Sequence, residues 1–158
     1  MNSLVKLCFS AFLLAASSVP AMAAAPVELS SNIFIEKQVK RADGTFATTL
    51  VAPKLIVPGD QLVFVVRYRN KSPQPATNFT VTNPIPTAVA FSGTSDGAEL
   101  VSIDGGKSWG KLAQLRVKIT DGAARPALMT DVTHIKWNMN QPLASGEGGQ
   151  LIFRGTVR

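Results

Sequence analysis

Beyond residue 30, apolar and polar residues alternate along much of the chain, and a period of two predicts strands. In Gln61–Asn70, Leu62, Phe64, Val66 and Tyr68 share one face, while Val63, Val65, Arg67 and Arg69 share the other. In 132–139, Thr133, Ile135, Trp137 and Met139 oppose Val132, His134, Lys136 and Asn138. In 150–158, Leu151, Phe153, Gly155 and Val157 alternate with Ile152, Arg154, Thr156 and Arg158. A sheet with one core face and one wet face produces this pattern. Strands are also predicted at 33–39, 46–51, 78–82, 88–92, 98–103 and 112–120, and no apolar stripe at helical spacing interrupts them.

Turn chemistry separates these segments. Asp43-Gly44, Asp96-Gly97, Asp104-Gly105 and Asp121-Gly122 are Asp-Gly pairs, in which the glycine tolerates positive φ and the carboxylate bonds nearby backbone. Most of the prolines fall between strands, where a missing N–H does no harm. About nine short strands at such spacing predict an all-β fold, a single immunoglobulin-like sandwich of seven to nine antiparallel strands. The expected core is Leu62, Phe64, Val66, Tyr68, Phe79, Val81, Ile135, Trp137, Leu151 and Phe153.

The first residues are of a different kind. Lys6 precedes an apolar run from Leu7 to Ala16, Pro20 breaks it, and Ala21-Met22-Ala23 has the small-x-small pattern of a cleavage site. Residues 1–23 are therefore expected to be a signal peptide, too short to span a bilayer. Residues 24–32 are expected to be a flexible mature terminus, of which 24–31 could add an edge strand, and 33–158 the sandwich domain. The reading is of an exported, periplasmic or secreted protein without a transmembrane segment in its mature chain. Cys8 is the only cysteine and leaves with the leader, so the mature domain must be held by its core alone. The formal charge is +6, of which Lys6 contributes one, leaving +5. That mild excess suits anionic neighbours and also keeps a small domain soluble.

Several segments together resemble the conserved-repeat family called domain of unknown function eleven. They are Pro58-Gly59-Asp60, Tyr68-x-Asn70, the stretch from Ala76 to Pro86 with its Asn83-Pro84-Ile85-Pro86 end, Ser102 to Gly106, and Val132 to Trp137 followed by Pro142-Leu143. The resemblance spans about residues 33–158 and implies an immunoglobulin-like module of prokaryotic surface and secreted proteins, used as a spacer or adhesive unit, with no catalytic residues to carry over. The family is often tandem and anchored. Here one copy is followed by no sorting motif, which favours a free exported protein.

Candidate chemistry is sparse. Ser102, Asp104, Gly106 and Trp109 fit the Asp-box pattern S-x-D-x-G-x-x-W, expected here as a fastened hairpin rather than one unit of a propeller. His134 is the only histidine and has neither a cysteine nor a second histidine to form a metal set. No G-x-S-x-G elbow accompanies it, so a small hydrolase is the remote reading. The reading is of a protein that is not an enzyme and carries no cofactor, with a lone calcium between the loops of Asp60, Asp96 and Asp104 left open. Arg67, Arg69, Lys136, Arg154 and Arg158 all take the outward side of their strands and form the candidate binding face. A basic stripe there would hold an anionic glycan or lipid headgroups; its lack of aromatics disfavours single-stranded nucleic acid. The leading expectation is a non-catalytic envelope module that binds or spaces another surface protein, and the alternative is the basic binder.

Overall fold

The structure is a computed structural model and describes residues 27–97, 99–119 and 122–158. The expected signal peptide and the first residues of the mature chain lie outside the described residues. Ten strands follow: β1 (Val27–Lys40), β2 (Phe46–Val51), β3 (Gln61–Asn70), β4 (Phe79–Pro84), β5 (Val89–Thr94), β6 (Leu100–Ser102), β7 (Arg116–Lys118), β8 (Ala124–Pro126), β9 (His134–Met139) and β10 (Gly148–Val157). Their pairing is antiparallel throughout. One sheet has the order β2-β1-β3-β10-β5, a second the order β4-β9-β6, and β7-β8 is a separate hairpin. The chain crosses between the two larger sheets at β3→β4, β4→β5, β5→β6 and β9→β10, and the β7-β8 hairpin is inserted between β6 and β9 of the smaller one. The all-β antiparallel sandwich expected from the alternation is thus present.

The core forms where the two sheets face each other. Leu62, Phe64 and Val66 of β3, Leu151 and Phe153 of β10, and Phe91 of β5 meet Val81, Val101, Ile135 and Trp137 of the smaller sheet. Phe64 and Phe153 stack at 4.3 Å between centroids with rings 3° from parallel, and Trp137 tilts onto Phe153 at 6.4 Å. Each such side chain stabilises the fold by about 1.5–3 kcal/mol on full burial. Every expected core residue belongs to this cluster or packs against it.

The turns act as fasteners. Gly59 has φ 93°, a left-handed value that glycine adopts without strain. Its N–H donates to the Val157 carbonyl at 2.9 Å, while the Asp60 carboxylate accepts from the Val57 N–H at 2.8 Å. The Pro-Gly-Asp turn thus ties the start of β3 to the end of β10. At the other end of β3, Asn70 is fully buried. Its Nδ2 donates to the Gln74 and Leu143 carbonyls at 2.8 and 2.9 Å, and its Oδ1 accepts from the Ser72 N–H at 2.9 Å. One amide thereby secures two loops.

Four expectations need correction. Val63 and Val65 share the outward face of β3 with Arg67 and Arg69, yet both are buried. In register Val63 lies between Phe34 and Arg154, and Val65 between Asn32 and Ile152. The larger side chains beside them, Phe34 and Arg154 at Val63 and Ile152 at Val65, cover these short valines, whereas Arg67 and Arg69 in the same row extend past their small or polar neighbours. Residues 27–32, expected to be flexible with the option of an added edge strand, take that option: they are the first half of β1 and pair with β3. The strand expected at 112–120 is a 3-10 turn, Leu112–Gln114, followed by the three residues of β7. Its partner β8 was not foreseen.

The larger sheet outnumbers the smaller by two strands, and β1 shows the result. Its residues 27–35 pair with β3, while 35–40 pair with β2, so the hand-over occurs at Ile35. The β2 side of 27–34 carries no strand among the described residues. Leu29 and Ile33, which alternate onto the same face as buried Ile35, stay 50% and 40% exposed because no strand of the smaller sheet pairs out over them.

Candidate functional site

The cationic candidates divide into separate places. Arg67 and Arg69 project from the outer face of β3, two residues and hence about 7 Å apart. In register Arg67 lies between Ser30 of β1 and Gln150 of β10, and Arg69 between Glu28 and Gly148. Together with Lys71 these residues line a depression of about 620 Å³. Its floor is bare because Gly148 has no side chain. A Cβ there would lie 2.4 Å from the Tyr68 carbonyl oxygen, so the glycine is required as well as useful. Gly149 is as constrained, since its Cβ would meet the Tyr68 ring.

The groove is electrostatically uneven. Arg67 donates from Nη1 to Asn32 Oδ1 at 2.8 Å, and Arg69 donates from Nε to the Gly146 carbonyl at 3.1 Å. Both partners are neutral. They orient the guanidinium groups without cancelling their charge, and leave N–H pairs suited to bidentate contact with a carboxylate, sulfate or phosphate. Lys71 does meet an acid, Glu28, at 3.4 Å, but both side chains are more than half exposed. Such a pair is weak. Lys71 was missed because it lies past the end of β3. Its signal was the spacing, since 67, 69 and 71 continue one alternation.

The other three candidates are elsewhere. Arg154 is on the outer face of the same sheet but opposite Val63, about 13 Å along β3 from Arg67. Its Nε meets Glu36 Oε1 at 3.1 Å and its Nη1 donates to Ser95 Oγ at 3.1 Å, so its charge is matched. Lys136 lies on the opposite sheet, with Nζ 4.3 Å from the centroid of a Trp109 ring. Arg158 donates to the Thr87 and Thr130 carbonyls at 3.3 and 2.9 Å, fastening the loops at the end of β10. The five form no continuous stripe.

Ser102, Asp104, Gly106 and Trp109 form the fastened hairpin expected of them. The Asp104 carboxylate accepts from the Lys107 and Ser108 N–H groups at 3.1 and 2.9 Å, and from the Ser102 and Ser108 hydroxyls. Ser102 is fully buried and its Oγ also accepts from the Gly106 N–H at 2.9 Å. A bridge between Val101 and Gly110 closes the loop. Trp109 lies over the outer face of β9, at 6.4 Å from the His134 ring in an edge-on contact. His134 and Lys136 do share that face, as alternation implied, but Trp109 lies against both, so neither is freely exposed. His134 Nδ1 is 3.1 Å from Thr133 Oγ1.

Neither Asp60 nor Asp104 is an uncommitted carboxylate, because each serves its own turn. A smaller cleft of about 370 Å³ touches His134, Asp131 and Arg158. There Asp131 is held by a bidentate contact from Arg125 at 2.6 and 2.8 Å and by the Leu128 N–H at 2.8 Å. Among the described residues, no three of His, Cys, Asp and Glu are grouped to hold a metal, and no helix is long and apolar enough to cross a membrane.

These fasteners give a pH dependence with a definite sign. The side-chain bond from Arg125, then the Leu128 N–H, lowers the Asp131 carboxyl to about 2, and the bonds from Ser108 and Ser102 push Asp104 further down. A folded value below the unfolded one means the stabilisation is complete above about pH 4 and is lost as pH falls toward 2. The urea midpoint read by tryptophan emission is expected to fall over that interval, and Asp104→Asn to remove the part of that fall that comes from the hairpin. An Asp104→Asn titration superposable on the wild type overturns this assignment. Compared with protein-family models, with curated proteins and with solved structures, the chain matches none.

Proposed function

We propose that this protein is a non-catalytic binding module exported to the bacterial cell envelope, which holds an anionic ligand in the groove beside β3. The ligand class is an acidic glycan or an anionic lipid headgroup, which present the same carboxylate, sulfate or phosphate chemistry. One observation carries the reading: Arg67 and Arg69 are oriented by neutral partners over a glycine floor, with their charge unspent. The resemblance to an envelope module, the leader pattern and the net charge support it. Salt should weaken binding steeply, as for any contact that displaces counterions.

The test is retention on heparin and on lipopolysaccharide beads, with phosphatidylglycerol vesicles as a third arm. The double variant Arg67→Glu, Arg69→Glu should lose at least about tenfold in affinity, on the order of 1.4 kcal/mol. The variant Lys136→Glu, on the opposite sheet, should bind as the wild type does. Equal loss from both variants would mean a diffuse charge effect and would sink the groove. Binding in only the glycan arms, or only the vesicle arm, distinguishes the two sources.

A role in spacing or joining envelope proteins rests on a different surface, the uncovered edge of β1.

A further inference from the structure

We infer that residues 28–34 of β1 pair antiparallel with the same segment of a second copy, joining the two larger sheets edge to edge. The backbone provides the opportunity. The segment 27–34 is bonded to β3 on one side and to no strand on the other among the described residues, and none of the described turn or loop backbone bonds ends on it. An open edge of this length is a template for another strand.

Three of the other edges are blunted and this one is not; the remaining outer strand, β2, is six residues long and likewise carries no charge or proline. β5 carries an irregularity opposite Arg154 and Gly155, β4 runs into Asn83-Pro84-Ile85-Pro86, and β6 is three residues long. Between Val27 and Ile35 there is no lysine, arginine or proline, and the single charge, Glu28, already meets Lys71. Charged residues, prolines and irregularities are the usual guards of an edge.

The occupant follows from self-complementarity. A two-fold axis through Ser31 sets Leu29 of one copy opposite Ile33 of the other, twice, on one face. These are the exposed apolar residues of the segment, at 50% and 40%. Ser30 then faces Asn32 and Glu28 faces Phe34, with no like charges opposed. The pairing stops at Phe34 because the next position, Ile35, already has Val51 beside it. An axis perpendicular to the sheet keeps outer faces together, so the two Arg67–Arg69 grooves open on the same side and meet a polymeric anion bivalently. The pairing itself does not depend on the groove reading.

The test uses the mature chain, whose expected sequence lacks cysteine. Sedimentation should show a concentration-dependent monomer–dimer equilibrium, and Leu29→Lys with Ile33→Lys should shift it to monomer with the melting temperature kept, since both side chains are already exposed. Ser31→Cys should form a disulfide-linked dimer under mild oxidation, and Thr80→Cys on the other sheet should not. Three results would overturn the proposal. They are a wild type monomeric at about 0.5 mM, where even a near-millimolar pair is visible, a dimer that survives both lysines, and equal crosslinking of the two cysteine variants.

Discussion

Replacing Trp137 by alanine lowers the unfolding free energy by about 3–5 kcal/mol, the range for removing a large buried aromatic. Trp137 is 2% exposed, rests on Phe153, and sits in β9, the central strand of the smaller sheet. The cavity would open where the two sheets touch, with little nearby to collapse into it. Trp137→Phe separates volume from polarity. The indole Nε1 is buried without a hydrogen-bond partner, so phenylalanine removes an unpaired donor along with some volume. Its cost should stay well below that of alanine. Urea unfolding of the three proteins decides the matter; a near-neutral alanine variant would mean that the sheet contact is not formed by this ring.

Asn70→Ala is expected to cost about 3 kcal/mol, for a different reason. A fully buried amide is lost, together with its bonds to Gln74, Leu143 and Ser72. The protein atoms left behind remain buried and polar, which is the expensive way to remove a hydrogen bond. Asn70→Asp keeps the shape but points a carboxylate at two carbonyl oxygens. Burial and those oxygens raise its folded pKa, so this variant gains stability as pH falls, opposite in sign to the Asp131 and Asp104 effects. Urea midpoints at pH 7 and pH 5 test both statements. A variant whose midpoint ignores pH would show that Asn70 is hydrated. Because the Asn70 amide anchors Leu143, at the start of the loop that contains Gly146, the carbonyl partner of Arg69, its loss should also weaken anion binding.

Much of the fold was legible because alternation states which residues share a face. For β3, β9 and β10 it named the core side correctly down to Phe153 and Trp137. It failed at Val63 and Val65 because the face of a residue does not say what stands beside it. Their burial comes from register with β1 and β10, and pairing between distant strands is not written locally. Residues 28, 30, 31 and 32 read as a polar terminus, yet backbone bonds to β3 hold them whatever their side chains prefer. The candidate site was half legible. Outwardness was right for the four cations that lie in strands, but Arg158 falls past the end of β10, which sheet each strand joins separated Lys136 from Arg67, and the ion pair with Glu36 removed Arg154. The Asp-box was fully legible, since its side-chain bonds lie within seven residues and the bridge that closes it within ten.

The arrangement of β1, β3 and β10 also sets how the domain bears load. β1 and β10 run in the same direction on either side of β3, with Val27 at one end of the sheet and Val157 at the other. Tension applied between those two residues drags the flanking strands lengthwise past β3. Nine register pairs on each side then resist together in shear, instead of opening one after another as in a peeled hairpin. Ladder bonds lie perpendicular to the strands, so every one must distort before any strand slips. A domain loaded along this axis yields through a high unfolding barrier, whatever its equilibrium stability.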